Sequence, residues 1–200
     1  MINNYGVKDR RKSKKIMVGN VGIGGDSPIS VQSMTNTKTY DAKSTIQQIH
    51  DLEECGCDII RVAVPDQESA EAISKIKRQI HIPLVADIQF DYRLAIESIR
   101  QGADAIRINP GNIGDADRIK EIVRLAKSYQ IPIRIGVNSG SIEKDLLHKH
   151  GKPTPEAMVE SALRHIEILE NMNFGNIIVS LKSSDVLSNI SAYKMMALKV

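Results

Sequence analysis

Four cationic side chains, Arg61, Arg107, Arg134 and Lys182, stand in or at the end of short apolar runs: IIRVAV, AIRIN, IPIRIGV and IIVSLK. Runs this short and apolar read as strands, and side chains two apart on a strand share a face. On that parity Asp87 goes with Gln89, Arg107 with Asn109, Arg134 with Gly136 and Asn138, and Ser180 with Lys182. In the first such run, ISVQSM, Gln32 and Ser33 lie just ahead of a loop. Four cations with Asp87 as their one anion would repel strongly in a low-dielectric mouth unless a polyanion offset them. Arg grips phosphate oxygens bidentately and Lys acts as a point charge, so a diphosphate suits the set. The loops NPGNIGD and VNSGS would add backbone N–H groups suited to anions.

Each of these residues has a plainer reading. A single Arg could pair with a helix carboxylate, and Gln32, Asn109 and Asn138 could cap loops. Agreement in parity and strand position is what argues for one joint site. His148 and His150, two apart in LLHKHGK, read as a solvated pair in a polar loop, not as metal ligands. Cys55 and Cys57 flank Gly56 in LEECGCDII; a disulfide across one residue would be strained, and two thiols cannot complete a metal site. No metal ligands are therefore expected in this chain. Neither H-E-x-x-H nor a Walker-type glycine loop occurs.

Positioning such a set requires strands that all run the same way, and the chain alternates strand and helix patterns from Pro28 onward. IMVGNVGIGG precedes them as a short β-hairpin. Helical runs follow the strands, with Asp41 as an N-cap, Gly56 and Gly102 as stops, and Thr154–Pro155 opening a helix after a longer polar loop. A last helical stretch, SAYKMMALKV, reaches the C-terminus. The pattern predicts an α/β fold: an incomplete TIM-type (β/α)8 barrel of about six β/α units, with active-site residues at the strand C-termini. Residues 1–27 read as an N-terminal segment and hairpin, and residues 28–200 as the partial barrel.

With 200 residues, 42% hydrophobic and 26% charged, the chain has the make-up of one globular domain. A net charge of +3 and 4% aromatic residues argue against nucleic acid as the partner. The basic run around Arg10 and Lys15 reads as a solvated segment. No apolar stretch reaches membrane-spanning length, and the first residues lack a signal-peptide core, so a cytoplasmic location is expected.

The motifs PISVQSMTNTKTYD, IIRVAVP, VADIQFD, AIRINPGNIGD, IRIGVNSGS and IIVSLKSSD, in that order from about Arg11 to Val200, closely resemble the bacterial 4-hydroxy-3-methylbut-2-en-1-yl diphosphate synthases. The resemblance implies reductive ring-opening of 2-C-methyl-D-erythritol 2,4-cyclodiphosphate in the methylerythritol phosphate route to isoprenoids. It implies a [4Fe–4S] cluster fed by reduced flavodoxin or ferredoxin, with cluster ligands on a C-terminal domain and a homodimer in which that domain caps the partner's barrel. By the same resemblance Arg61, Arg107, Arg134 and Lys182 form the diphosphate clamp. Asp87 and Asn138 are the catalytic candidates, and Asn109, Gln32, Ser33 and Gln89 contact substrate. The family usually has His where this chain has Gln89; Gln hydrogen-bonds but cannot shuttle a proton near neutral pH. The last barrel strands, a barrel Glu and the cluster domain are expected beyond Val200, which would leave this chain inactive alone.

Two competing readings carry their own tests. One is an aldolase or isomerase with Lys182 as a Schiff-base amine, which borohydride trapping would reveal. The other is an inactive chain that only binds diphosphate-like anions.

Overall fold

Strand parity divides the apolar residues of the sheet between two cores. In the computed structural model, which describes residues 11–109, 113 and 116–200, six parallel strands lie in sequence order. They are β3 (Gln32–Met34), β4 (Ile59–Ala63), β5 (Leu84–Asp87), β6 (Ala105–Ile108), β7 (Ile133–Asn138) and β8 (Ile177–Lys182). Ile60, Val62, Leu84, Ala86, Ile106, Ile108, Ile133 and Ile135 face the helices and form the larger core with them. Ile59, Val85 and Ala105, of the opposite parity, form a second core on the concave face.

The hairpin closes that second core from below. Its strands β1 (Ile16–Val18) and β2 (Val21–Ile23) pair antiparallel. Val18, Val21 and Ile23 pack against Ile59, Val85, Ala105 and Ile178, the residues nearest the start of each inward-facing row. Hydrophobic burial thus plugs the N-terminal end of the strands and leaves the C-terminal end open.

Helices cover the outer face: α1 (Ala42–Glu54), α2 (Gln67–Lys77), α3 (Tyr92–Arg100), α4 (Ala116–Ser128), α5 (Lys144–His150), α6 (Pro155–Glu170) and α7 (Val186–Met196). Side chains of Asp41, Asp66, Asp91, Thr154 and Asp185 accept backbone N–H bonds at five helix starts, each satisfying a donor that the helix itself cannot. Gly56, at φ +83°, ends α1 in the left-handed region that a side chain would strain.

Three local expectations need correction. The stretch read as a polar loop holds a helix of about two turns, α5, because Leu146 is fully buried and anchors it. His148 and His150 therefore sit in its last turn, where His150 Nε2 meets Glu160 at 2.9 Å. The last helix is α7, which starts at Val186 behind the Asp185 cap and ends at Met196, so it is displaced toward the N-terminus from SAYKMMALKV. Strand β3 is three residues long, shorter than ISVQSM. Arg10 and all of NPGNIGD except Asn109 and Ile113 lie outside the described residues.

Candidate active site at the barrel mouth

The concave face above the apolar plug carries the charged residues, because each continues an inward-facing row. Arg61 follows Ile59, Asp87 follows Val85, and Arg107 follows Ala105, each two residues further along its strand. Parallel register sets Asp87 beside Arg107 and Arg107 beside Arg134. Asp87 takes both neighbours: Arg107 Nη1 donates to Oδ1 at 3.1 Å, and Arg61 Nε lies 3.5 Å from Oδ2. The carboxylate is almost fully buried, and one anion bridging two guanidiniums holds both in place.

Arg134 occupies a deeper position. Its Nη1 donates to Gln32 Oε1 on β3, the far side of the curled sheet, while its Nε is buried without a hydrogen-bond partner. Burial, and then the neighbouring Arg61 cation, push the Arg134 guanidinium below its ordinary pKa, with Arg107 adding to the same effect; Tyr193 and Asp87 oppose it. Arginine stays charged all the same. Among the described residues, three guanidiniums face one carboxylate here, a net positive charge of two in a partly dry cavity that favours an anion.

Asn109 is buried at the end of the Arg107 row, and Asn138 and Lys182 are register neighbours at the ends of β7 and β8. Lys182 and Gln89 are exposed at the rim. The reading that every polar set stands late in its strand fits Asp87, Asn138 and Lys182 but not Gln32 or Arg134, which lie at the beginnings of β3 and β7. Ser33 is not brought into the site. Its register partner is Ile60 of the outer core, so it faces the helices while Gln32 faces the cavity.

Two residues escape a reading that looks only for polar groups. Met34 Sδ lies 3.2 Å from both Nε and Nη2 of Arg61. Gly136 lies under the Arg107 guanidinium and accepts from its Nη2 at 3.3 Å; a Cβ there would stand 2.7 Å from Arg107 Cζ. A lone Gly on the inward parity of an apolar strand is the signal that could have marked it.

No [4Fe–4S] ligand set exists among the described residues. Cys55 is exposed, and Cys57 is buried with its Sγ 3.1 Å from the Ile59 carbonyl. Two thiols one residue apart do not supply the four ligands such a cluster takes.

Fold and site together define a parallel β/α-barrel domain whose mouth gathers arginine side chains around one buried carboxylate. The chain belongs to the GcpE TIM-barrel domain family, which it matches over residues 13–200. It is 58% identical over 191 residues to the 4-hydroxy-3-methylbut-2-en-1-yl diphosphate synthase (flavodoxin) of Vesicomyosocius okutanii subsp. Calyptogena okutanii (strain HA), a match spanning 96% of this chain and 53% of that protein. It is also 58% identical over 188 residues to the protein of the same name from Haemophilus influenzae (strain PittEE), covering 94% of this chain and 54% of that one. The chain thus spans about half the length of these curated relatives.

Solved structures show the same fold at low identity. A dihydropteroate synthase of Yersinia pestis superposes with a TM-score of 0.61 at 13% identity, over 92% of this chain and 69% of that one. A truncated 3-deoxy-D-arabino-heptulosonate 7-phosphate synthase of Thermotoga maritima gives 0.62 at 18%, over 92% and 65%.

Proposed function

We propose that this chain is the substrate-gripping barrel of a 4-hydroxy-3-methylbut-2-en-1-yl diphosphate synthase, an iron–sulfur oxidoreductase of isoprenoid synthesis that reductively opens 2-C-methyl-D-erythritol 2,4-cyclodiphosphate. The observation that carries this reading is the Arg61–Asp87–Arg107 bridge with Arg134 beside it, a net positive charge of two among the described residues. Identity of 58% to relatives bearing that name supports the substrate.

In this reading the diphosphate oxygens take the guanidinium donors that Asp87 leaves free, and Lys182 closes over them from the rim. Asn109 and Asn138 orient the carbon skeleton, with Asp87 holding the clamp and Asn138 beside the reacting carbons as the catalytic candidates. Gln89 offers a hydrogen bond and no proton. Electrons arrive from a group held outside these residues. The name those relatives carry, with flavodoxin specified, favours flavodoxin over ferredoxin as their source. The whole protein works as a cytoplasmic homodimer.

An exposed Lys182 does not favour the Schiff-base reading, since an amine used that way is usually activated by a desolvating pocket or a cationic neighbour. Calorimetric titration with the cyclodiphosphate tests the proposal. Arg107→Ala is expected to weaken binding tenfold or more, about 1.4 kcal/mol. A folded protein that binds no cyclodiphosphate would overturn it.

A further inference from the structure

At the opposite end of the strands from the mouth, the last turn of α1 meets the loop that leads into β5. His50 and Glu53 stand there one turn apart, and His81 faces them from the loop. Glu53 Oε2 lies 3.2 Å from His81 Nδ1 and 3.9 Å from His50 Nδ1, and the three ligand atoms all fall within 4.8 Å of one another. The two rings meet edge to face, with centroids 5.9 Å apart.

The other oxygen of Glu53 fixes the carboxylate. Oε1 accepts the backbone N–H groups of His81 at 2.7 Å and Ile82 at 3.2 Å, which leaves Oε2 turned toward the imidazoles. The last turn of α1 contains no Lys or Arg, so the partial negative charge of its carbonyl end has no basic side chain of that turn to meet it.

We infer that His50, Glu53 and His81 form a zinc-class divalent metal site that clasps the end of α1 to the strand entry, separate from the substrate mouth. Two imidazole nitrogens and one carboxylate oxygen are the donor set that late first-row ions take in preference to calcium or magnesium. Bonds of about 2.0–2.2 Å to one ion require the two rings to swing inward by a fraction of their present separation. The fixed carboxylate would stay where it is and provide the orienting contact that metal sites need. Water would complete the coordination, because His81 is exposed.

The test is a calorimetric titration of zinc chloride into the full chain carrying Cys55→Ser, which removes the exposed thiol as a competitor. It is run above the ordinary imidazole pKa of about 6.5. Stoichiometric binding is expected, with affinity falling at least tenfold in His81→Ala and in His50→Ala and unchanged in His148→Ala. Zinc should also raise the melting temperature of the parent and not that of His81→Ala. Circular dichroism verifies that each variant is folded. His81 is exposed, so its truncation should leave the fold intact; His50→Asn serves if His50→Ala does not fold. Absence of stoichiometric zinc binding by the parent, or affinity in the His81 and His50 variants equal to the parent's, would overturn the inference and leave the cluster a hydrogen-bonded clasp only.

Discussion

The Arg107 guanidinium lies across Gly136, donating to its carbonyl at 3.3 Å in the space that a side chain would need. One strand leaves out a Cβ so that its neighbour's cation can lie flat against it. The same guanidinium reaches Asp87 on the other side, so its position is set from both flanking strands.

Gly136→Ala should therefore act on binding more than on folding. Its methyl would sit 2.7 Å from Arg107 Cζ, and overpacking of this kind costs about 1–3 kcal/mol. Displacing the Arg107 side chain is the way to relieve it. Calorimetry with the cyclodiphosphate should show a loss of tenfold or more, near that of Arg107→Ala. Unchanged affinity would mean that Arg107 can serve from another rotamer.

Asp87→Asn removes the carboxylate that bridges Arg61 and Arg107. Breaking a fully buried pair costs roughly 3–5 kcal/mol; with the Arg61 side chain 29% exposed, about 2 kcal/mol is the better figure. Thermal melts should show that loss. Inorganic pyrophosphate should then raise the melting temperature of the variant more than that of the parent, because the three guanidiniums would no longer have the Asp87 charge set against them. Equal shifts would show that Asp87 does not set the charge of the cavity.

Stability should fall on mild acidification. His165 is buried on α6 with its Nε2 3.0 Å from Glu143 Oε1, at the start of α5. Burial lowers its pKa, Glu143 opposes this, and Arg164 lowers it further, leaving a net depression. A histidine depressed in the folded state binds its proton more readily when unfolded, so its contribution is fully present above the unfolded value of about 6.5. That contribution is lost as pH drops below the unfolded value and through the lower folded one. Melting curves across this window should decline with acid in the parent and less steeply in His165→Gln. Parallel profiles would assign the acid sensitivity elsewhere.

The hairpin should matter to the site although it touches no substrate. Val18 is 1% exposed in the plug beneath Arg134. Val18→Ala removes the equivalent of two methylenes, about 0.8 kcal/mol each before any cavity cost. Denaturant unfolding should show a loss of about 2 kcal/mol. Cyclodiphosphate binding should weaken with it, since the floor that desolvates Arg134 loosens.

Strand parity was legible because alternation is a local property of an extended backbone. It brought Arg61, Asp87, Arg107, Asn109, Arg134, Asn138 and Lys182 to one face without any contact information, and the register pairs align with it. Helix starts at Asp41 and Thr154 were legible for the same reason, since a cap bonds a donor three residues away. The helix α5 was not. Its apolar signal is little more than a Leu pair, and only the pocket that takes Leu146 makes it fold. Ser33 was misplaced because a pair of adjacent polar residues does not reveal which of them a sheet turns inward.

By itself, then, the sequence determined the alternation of strands and helices, the face that carries the cations, and the excess of positive charge there. Tertiary structure decided how deep each cation lies and which one an anion already holds. Asp87 bridges Arg61 and Arg107, while Arg134, at the start of its strand, is left to reach Gln32. Gln32 and Arg134 are 102 residues apart in the chain. They meet only because each right-twisted strand rotates against the last until the sheet curls on itself, and no local pattern records that closure.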